Sequence, residues 1–476
     1  MNRILQKAGQ PLSLFWLASA FMVIANVMLI LARLFWLAWI VPVAILLIVF
    51  FAVALDYVLY FIVLATPLAL NMGDVIPGLS VSIPTEPLLA ALLLIFVIKL
   101  LMGYVPDQRV FTHPIVFAVM IYLSWMLFTS VTSQYPLISF KYFTARLWFI
   151  VPMLFMGTPL FKDIRKIRLF YWLYVSTMCL VIAYTIYNHA GSGFTEKAAN
   201  LSPSPFYSDH TAYAVMLAFF TPALVGFSLS KIYPLRLRML ALAILALFVT
   251  GIILSYCRAA WISLGVSLIV LLLIVFRIRF RWILGVMVIT VGLFYLFQQQ
   301  IVDRLEKNKQ ESSANYTEHV ESMLNVSTDA SNLERINRWK CAIRLFHEHP
   351  TLGWGPGTYQ FVYGPFQLDS EKTIISTNEG NRGNAHSEYL GPLSESGWPG
   401  LLTILLLFST VTYTGIRLYQ RVGNSEVRLL SMVTLLGFIS YFAHGLMNNF
   451  LDTDKSSVPF WGFAAIIVAI DLYHTQ

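Results

Sequence analysis

The chain is built from long apolar runs separated by short polar gaps. Ser13 to Leu31, Met239 to Ser255, Trp261 to Phe276 and Leu401 to Gly415 carry no charged residue. Each is close to the roughly 20 apolar residues that cross a bilayer core as a helix, and none alternates with the period of two expected of a barrel strand. The pattern predicts an all-α polytopic membrane protein with about 12–14 transmembrane helices. The range is open because the stretch from Leu34 to Leu70 contains Asp56 and reads either as two full helices or as one helix plus a re-entrant piece. The amino-terminal run has no convincing small-residue cleavage site and reads as a retained first helix.

One polar stretch is long. It divides the chain into a transmembrane helical bundle over 1–299, a large loop with helices over 300–397, and carboxyl-terminal transmembrane helices over 398–476. Within the loop, Ser331-Asn-Leu-Glu334 has the form of a capping box, so a helix is expected to start there. Ile336, Trp339, Ile343 and Phe346 follow at steps of 3 and 4, an apolar stripe suited to lie on the membrane or pack on the bundle. That helix should stop near His349-Pro350, before the turn Gly353-Trp-Gly-Pro-Gly357. A second helical stretch is expected to carry His386, Tyr389, Leu390 and Leu393 and to end at Gly397, with Pro399 in the first turn of the next span.

Composition agrees: 58% of residues are hydrophobic and 12% charged. Basic residues concentrate in four gaps, at Lys162, Arg165, Lys166 and Arg168; at Lys231, Arg236 and Arg238; at Arg277, Arg279 and Arg281; and at Arg417, Arg421 and Arg428. The positive-inside rule puts these gaps in the cytoplasm, with both termini. The gaps at Asn71 to Glu86, around Lys141 and Arg146 and from Asn188 to Asp209, together with Arg258 and the large loop, then face outward. The net charge of +8 is accounted for by anchoring beside anionic lipid and does not call for nucleic acid. Three cysteines without C-x-x-C spacing encode neither a disulfide framework nor a zinc site.

Several outward residues could carry chemistry. His386 is a titratable group held at the membrane surface, suited to move a proton near neutral pH. Arg258, between two apolar spans, either snorkels to the interface or offers its planar fork to a phosphate. Arg335 and Arg338, three apart on the loop helix, form either an anion clamp or a solvated pair. Lys141 and Arg146 line the same basin or anchor the interface; His210 lies at the mouth of a span, beside Asp209, which suits a helix cap. Asp452-Thr-Asp454 has the form of a metal-binding D-x-D, opposed by Lys455 alongside, and no metal or other cofactor is expected.

Taken together, His386-Ser387 followed after nine residues by Gly397-Trp-Pro-Gly400, Arg335-x-x-x-Trp339, His349-Pro-Thr-Leu-Gly-Trp-Gly-Pro-Gly357, Ser208-Asp-His210 and Arg258-Ala-Ala-Trp261 resemble the bacterial O-antigen ligase and Wzy-type polymerase superfamily. The resemblance covers much of the carboxyl-terminal two thirds. It implies a GT-C-like, metal-independent glycosyltransferase of the inner membrane, with termini cytoplasmic and the large loop periplasmic. Its donor would be an undecaprenyl diphosphate-linked glycan and its acceptor lipid A-core. His386 and Arg258 would be catalytic, and Arg335, Arg338, His210, Lys141 and Arg146 would bind diphosphate or substrate. His386 could serve as general base or, as imidazolium, hold the leaving diphosphate, with Glu388 and Glu395 as orienting partners. A polymerase of repeat units or a protein O-oligosaccharyltransferase would share this machinery. A lipid or anion transporter or flippase is the alternative of another class, although the ionisable residues gather at one face and in the loop.

Overall fold

The computed structural model describes residues 55–74, 81–278, 330–373, 376 and 383–475, with a few isolated positions between 20 and 28. The expected spans at 13–31 and over much of 34–54, Arg279 and Arg281 of the third basic gap, and the early part of the large loop lie outside the described residues. The chain divides into two compact units, Met1–Phe61 and Ile62–Gln476, and all candidate site residues belong to the second. In chain order the main helices are α1 Leu55–Ala65, α2 Thr85–Leu101, α3 Pro114–Val131, α4 Pro136–Ile150, α5 Ile164–Gly191, α6 His210–Leu229, α7 Leu235–Leu254, α8 Arg258–Val275, α9 Ala330–Glu348, α10 Leu390–Arg421, α11 Ser425–His444 and α12 Asp454–Tyr473. A two-stranded antiparallel clip pairs Leu70 with Ile83 and Asn71 with Ser82. Among the described residues, nine helices are long and apolar enough to cross a membrane, α4 being extended through a π turn to Leu160. The protein is an all-α multi-pass membrane protein.

The helix starts follow from local chemistry. Asp163, Asp209 and Asn424 cap α5, α6 and α11 with side-chain oxygens that accept backbone N–H bonds from the first turn. His113 accepts from Ile115 N ahead of Pro114 at the start of α3, where a missing N–H costs nothing. The centre of the bundle is α6, α11 and α12, whose apolar sequence is buried nearly all round. Aromatic rings interlock there: Phe219 and Phe463 lie 4.3 Å apart, and Phe408 stacks on Phe442 at 3.8 Å.

The two ends of the bundle differ chemically. At one end the basic gaps meet carboxylates: Arg168 pairs with Glu426 at 3.3 Å, Arg417 and His113 converge on Asp471, and Tyr473 donates to Asp107. The Asp107 carboxyl is held well below its usual range, first by its hydrogen bond from Arg109. At the other end Lys455 Nζ donates to the carbonyls of Thr66 at 2.7 Å and Ala69 at 2.6 Å, while Asp454 accepts from Thr85. The D-x-D is therefore split: Asp454 is buried in this structural network, and Asp452 lies outside it.

The loop helix α9, described from Ala330, stops at Glu348, as the pattern predicts, but two expectations are corrected. Glu334 sends its carboxylate to Arg338, Thr373 and Ser376, the contacts of a side-chain network and not of a capping box. The buried face is carried by Cys341, Ala342 and Leu345 against Tyr359, Val362, Tyr363 and Ala385, so the loop has its own small core. Ile343, from the expected stripe, is 42% exposed. Alanine and cysteine are too weakly apolar to mark this face by periodicity.

Candidate functional site

A broken helix organises the site. α10 is two helical pieces joined at Gly397, whose φ of 69° and ψ of −173° are open to glycine alone; a Cβ there would lie 2.2 Å from the Thr351 carbonyl oxygen. The break frees carbonyls at the end of the first piece, and the glycine-rich turn satisfies them. Trp354 N donates to Ser394 O at 3.2 Å, Gly355 N to Glu395 O at 2.8 Å, and Trp125 Nε1 to Ser396 O at 2.8 Å. In return Trp398 N donates to Pro350 O at 2.9 Å, and Gln134 N to Trp354 O at 3.2 Å. Gly355, at φ 111°, packs so tightly on Ser133 that no side chain would fit. Loop, broken helix and the α3–α4 connection are thus bonded together through their main chains.

His386 precedes α10 and is not helical, a correction to the expected second helix. Its φ is 48°, a strained left-handed position for a non-glycine residue. Two bonds hold the backbone there: His386 N donates to Asn384 Oδ1 at 3.0 Å, and Trp339 Nε1 donates to His386 O at 3.3 Å. Burial pushes the imidazole pKa down to about 4, and Arg335 and Arg338 lower it further against the opposing Asp209 and Glu334. The ring is therefore neutral at pH 7. A neutral ring can accept a proton.

Arg335 also acts on Cys257, whose thiol is raised to about 11, by burial first. The start of α8, where Arg258 is the first residue, is therefore in the same electrostatic neighbourhood as Arg335 and Asp209. His210 fixes that turn. Its Nδ1 donates to the Ser255 carbonyl at 2.6 Å, tying the mouth of α6 to the turn that leads into Arg258. Asp209 caps α6 through Thr211 N and Ala212 N. Arg338 is occupied structurally: its Nε donates to Glu334 at 2.7 Å, its guanidinium lies 4.1 Å over the Tyr363 ring, and Gly383 leaves room for it.

Lys141 and Arg146 lie elsewhere. They line a cavity of about 500 Å³ together with Tyr122, Trp125, Tyr142, Glu388, Glu395 and Asp452, whereas His386, Arg258, Arg335, Arg338 and His210 do not border it. Arg146 is buried, bonded to the Leu451 carbonyl and the Tyr142 hydroxyl, with its guanidinium 4.8 Å from the Tyr142 ring. Glu388 and Glu395 are not orienting partners of His386. Glu388 Oε1 accepts from Tyr441 OH at 2.8 Å, Phe450 N at 2.8 Å and Leu451 N at 3.0 Å, and Glu395 accepts from Tyr359 N at 3.0 Å. Burial raises the Glu388 pKa, opposed chiefly by Arg146. The sequence singled out Lys141, Arg146, Glu388 and Glu395 but grouped them with His386; Asp452 was visible only within the D-x-D, and nothing in the sequence marked Tyr142.

The fold and site define a class: a multi-pass helical membrane protein in which a neutral histidine and arginines assemble at one end of the bundle. Residues 241–405 match the Wzy_C family model, described as O-Antigen ligase, and this supports the resemblance to the O-antigen ligase and Wzy superfamily over the stretch that holds Arg258, Arg335, Arg338 and His386. Members of that family are glycosyltransferase-like ligases and polymerases acting on lipid-linked glycans and an acceptor. No curated protein matches the chain.

Proposed function

We propose that this protein is an O-antigen ligase-like glycosyltransferase, moving a glycan from undecaprenyl diphosphate to lipid A-core at the periplasmic face of the bacterial inner membrane without a metal. The observation that carries the reading is the geometry around His386: its strained pre-α10 turn is bonded to Trp339 of α9, the helix that carries Arg335, and His210 ties α6 to the turn before Arg258, with Arg335 and Asp209 in electrostatic range of both His386 and Cys257. They lie at the end of the bundle opposite the basic gaps. By the positive-inside rule that end is periplasmic.

The chemistry follows from charge. The acceptor hydroxyl gives its proton to neutral His386 and attacks the anomeric carbon. The bond from that carbon to the diphosphate oxygen breaks, its electron pair leaves with the diphosphate, and the anomeric centre inverts. Arg335 and Arg258 are assigned to the charge that grows on the leaving group, where fixed guanidinium groups in a poorly hydrated site stabilise it. As diphosphate binds, its negative charge offsets the arginine field and raises the His386 pKa, making the ring a stronger base when it is needed.

The test is a lipopolysaccharide gel of cells lacking the protein, complemented with wild type or with His386→Ala. The expected result is a ladder restored by wild type alone, with undecaprenyl-linked polymer accumulating in its absence. Core capped by a single repeat would make the protein the polymerase. An unchanged gel would overturn both readings and direct attention to protein glycosylation or transport.

A further inference from the structure

We propose that the cavity around Arg146 is a carbohydrate subsite that receives the sugar of the acceptor, separate from the arginine and histidine side that handles the diphosphate. Its identification with the acceptor rests on the ligase reading; its identification as a sugar site does not.

The lining argues against a diphosphate. The carboxyl groups of Glu388, Glu395 and Asp452 border the cavity beside Lys141 and Arg146, and the Arg146 guanidinium is already bonded to Leu451 O and Tyr142 OH. Carboxylates that accept from paired hydroxyls, with aromatic faces such as Trp125, Tyr142 and Phe361 beside them, suit a polyhydroxylated ring with polar edges and C–H faces. Hydrogen-bonding capacity is left over: among the described residues, Arg146 Nε and Asn449 Oδ1 are buried without a partner, and both residues line the cavity. The position suits the reaction too. Asn384, Ala385 and Ser387 border the cavity while His386 between them does not, so a sugar held there lies one backbone thickness from the proposed base.

The experiment measures binding of two probes to the purified full-length protein in nanodiscs: deacylated lipopolysaccharide core oligosaccharide and undecaprenyl diphosphate. Two variants are used. Asp452→Asn removes a carboxylate that is exposed to the cavity. Gly391→Leu plugs it from the first turn of α10, where an added Cβ meets no atom within 4 Å, so the fold should accept the change. Loss of a charge-assisted hydrogen bond should weaken core binding about tenfold or more, and the plug should weaken it further, with undecaprenyl diphosphate affinity unchanged in both. Weaker diphosphate binding with core binding intact would overturn the proposal. It would make this the carrier's side, with the apolar groove that shares Trp125 and Thr403 with the cavity as the seat of the carrier's chain. Failure of wild type to bind the core probe would also overturn it as an acceptor site. Core binding lost in both variants, combined with an unchanged lipopolysaccharide gel, would keep the sugar site and sink only the ligase reading.

Discussion

The segment Gly383–Glu388 separates two regions of opposite character. On one side burial holds His386 neutral, with Arg335 and Arg338 adding to the effect; on the other, Ser387 and Glu388 border a cavity where carboxyl groups outnumber basic side chains. Adjacent residues on one short turn thus serve an electropositive region and an acidic one. The lesson is that basic residues at one end of the bundle need not form a single basin. Lys141 and Arg146 are basic like Arg258 and Arg335, yet the fold surrounds Arg146 with Glu388, Glu395 and Asp452.

The sharpest way to break this comparison is at His386. His386→Ala should cut transfer by about 10²–10⁴-fold in a reconstituted assay with both substrates saturating, the range for a lost general base, while thermal unfolding stays close to wild type. A variant that kept most of its turnover would remove the histidine from the chemistry. Arg338→Ala should behave in the opposite way. It leaves Glu334 buried without its ion-pair partner, so a loss of about 3 kcal/mol in stability is expected, visible as a lower unfolding temperature and less folded protein. Normal stability combined with lost turnover would move Arg338 from the loop's framework to the substrate.

A third test uses pH. His386 has its folded pKa depressed, so the neutral, active form persists below the ordinary histidine range and the acid limb of kcat/KM should fall near pH 4, not 6.5. Arg335→Gln removes a charge that lowers this pKa and should shift the limb upward. A limb that stays put would mean that His386 does not set it. The same depression works against folding in acid: between about pH 6.5 and 4 the unfolded chain takes up a proton that the native ring does not, so stability is lost as pH falls through that window. The smallest effect is expected from His210→Gln. It removes the bond to Ser255 O and loosens the turn before Arg258, so a rise of several-fold in donor KM, with kcat largely retained, should mark it as a positioning residue.

Much of this architecture was legible in the sequence, for identifiable reasons. Long uncharged runs can satisfy their backbone in lipid only as helices, so the spans followed from composition. Gly397 marked the end of the first piece of α10, and His349-Pro350 marked the end of α9, through turn chemistry that is local. What escaped was non-local. The strained turn at His386 depends on Asn384 and Trp339, the latter 47 residues away, and a helical pattern of Tyr389, Leu390 and Leu393 suggested continuity across it. The structural duty of Arg338 depends on Tyr363 and Gly383, neither of which carries a motif. The acidic cavity required Arg146, Glu388 and Leu451 to meet, and no spacing records such a meeting.

The main-chain bonds between the glycine-rich turn, the break in α10 and the α3–α4 connection also bear on traffic. A loop riveted to the bundle at Trp354, Gly355 and Trp398 cannot swing away like a hinged cover without stripping partners from buried carbonyls. Substrates that remain embedded in a leaflet have no need of such a cover. Their route is sideways, along the plane of the membrane and between helices, so delivery would be set by diffusion within the lipid sheet and by its fluidity.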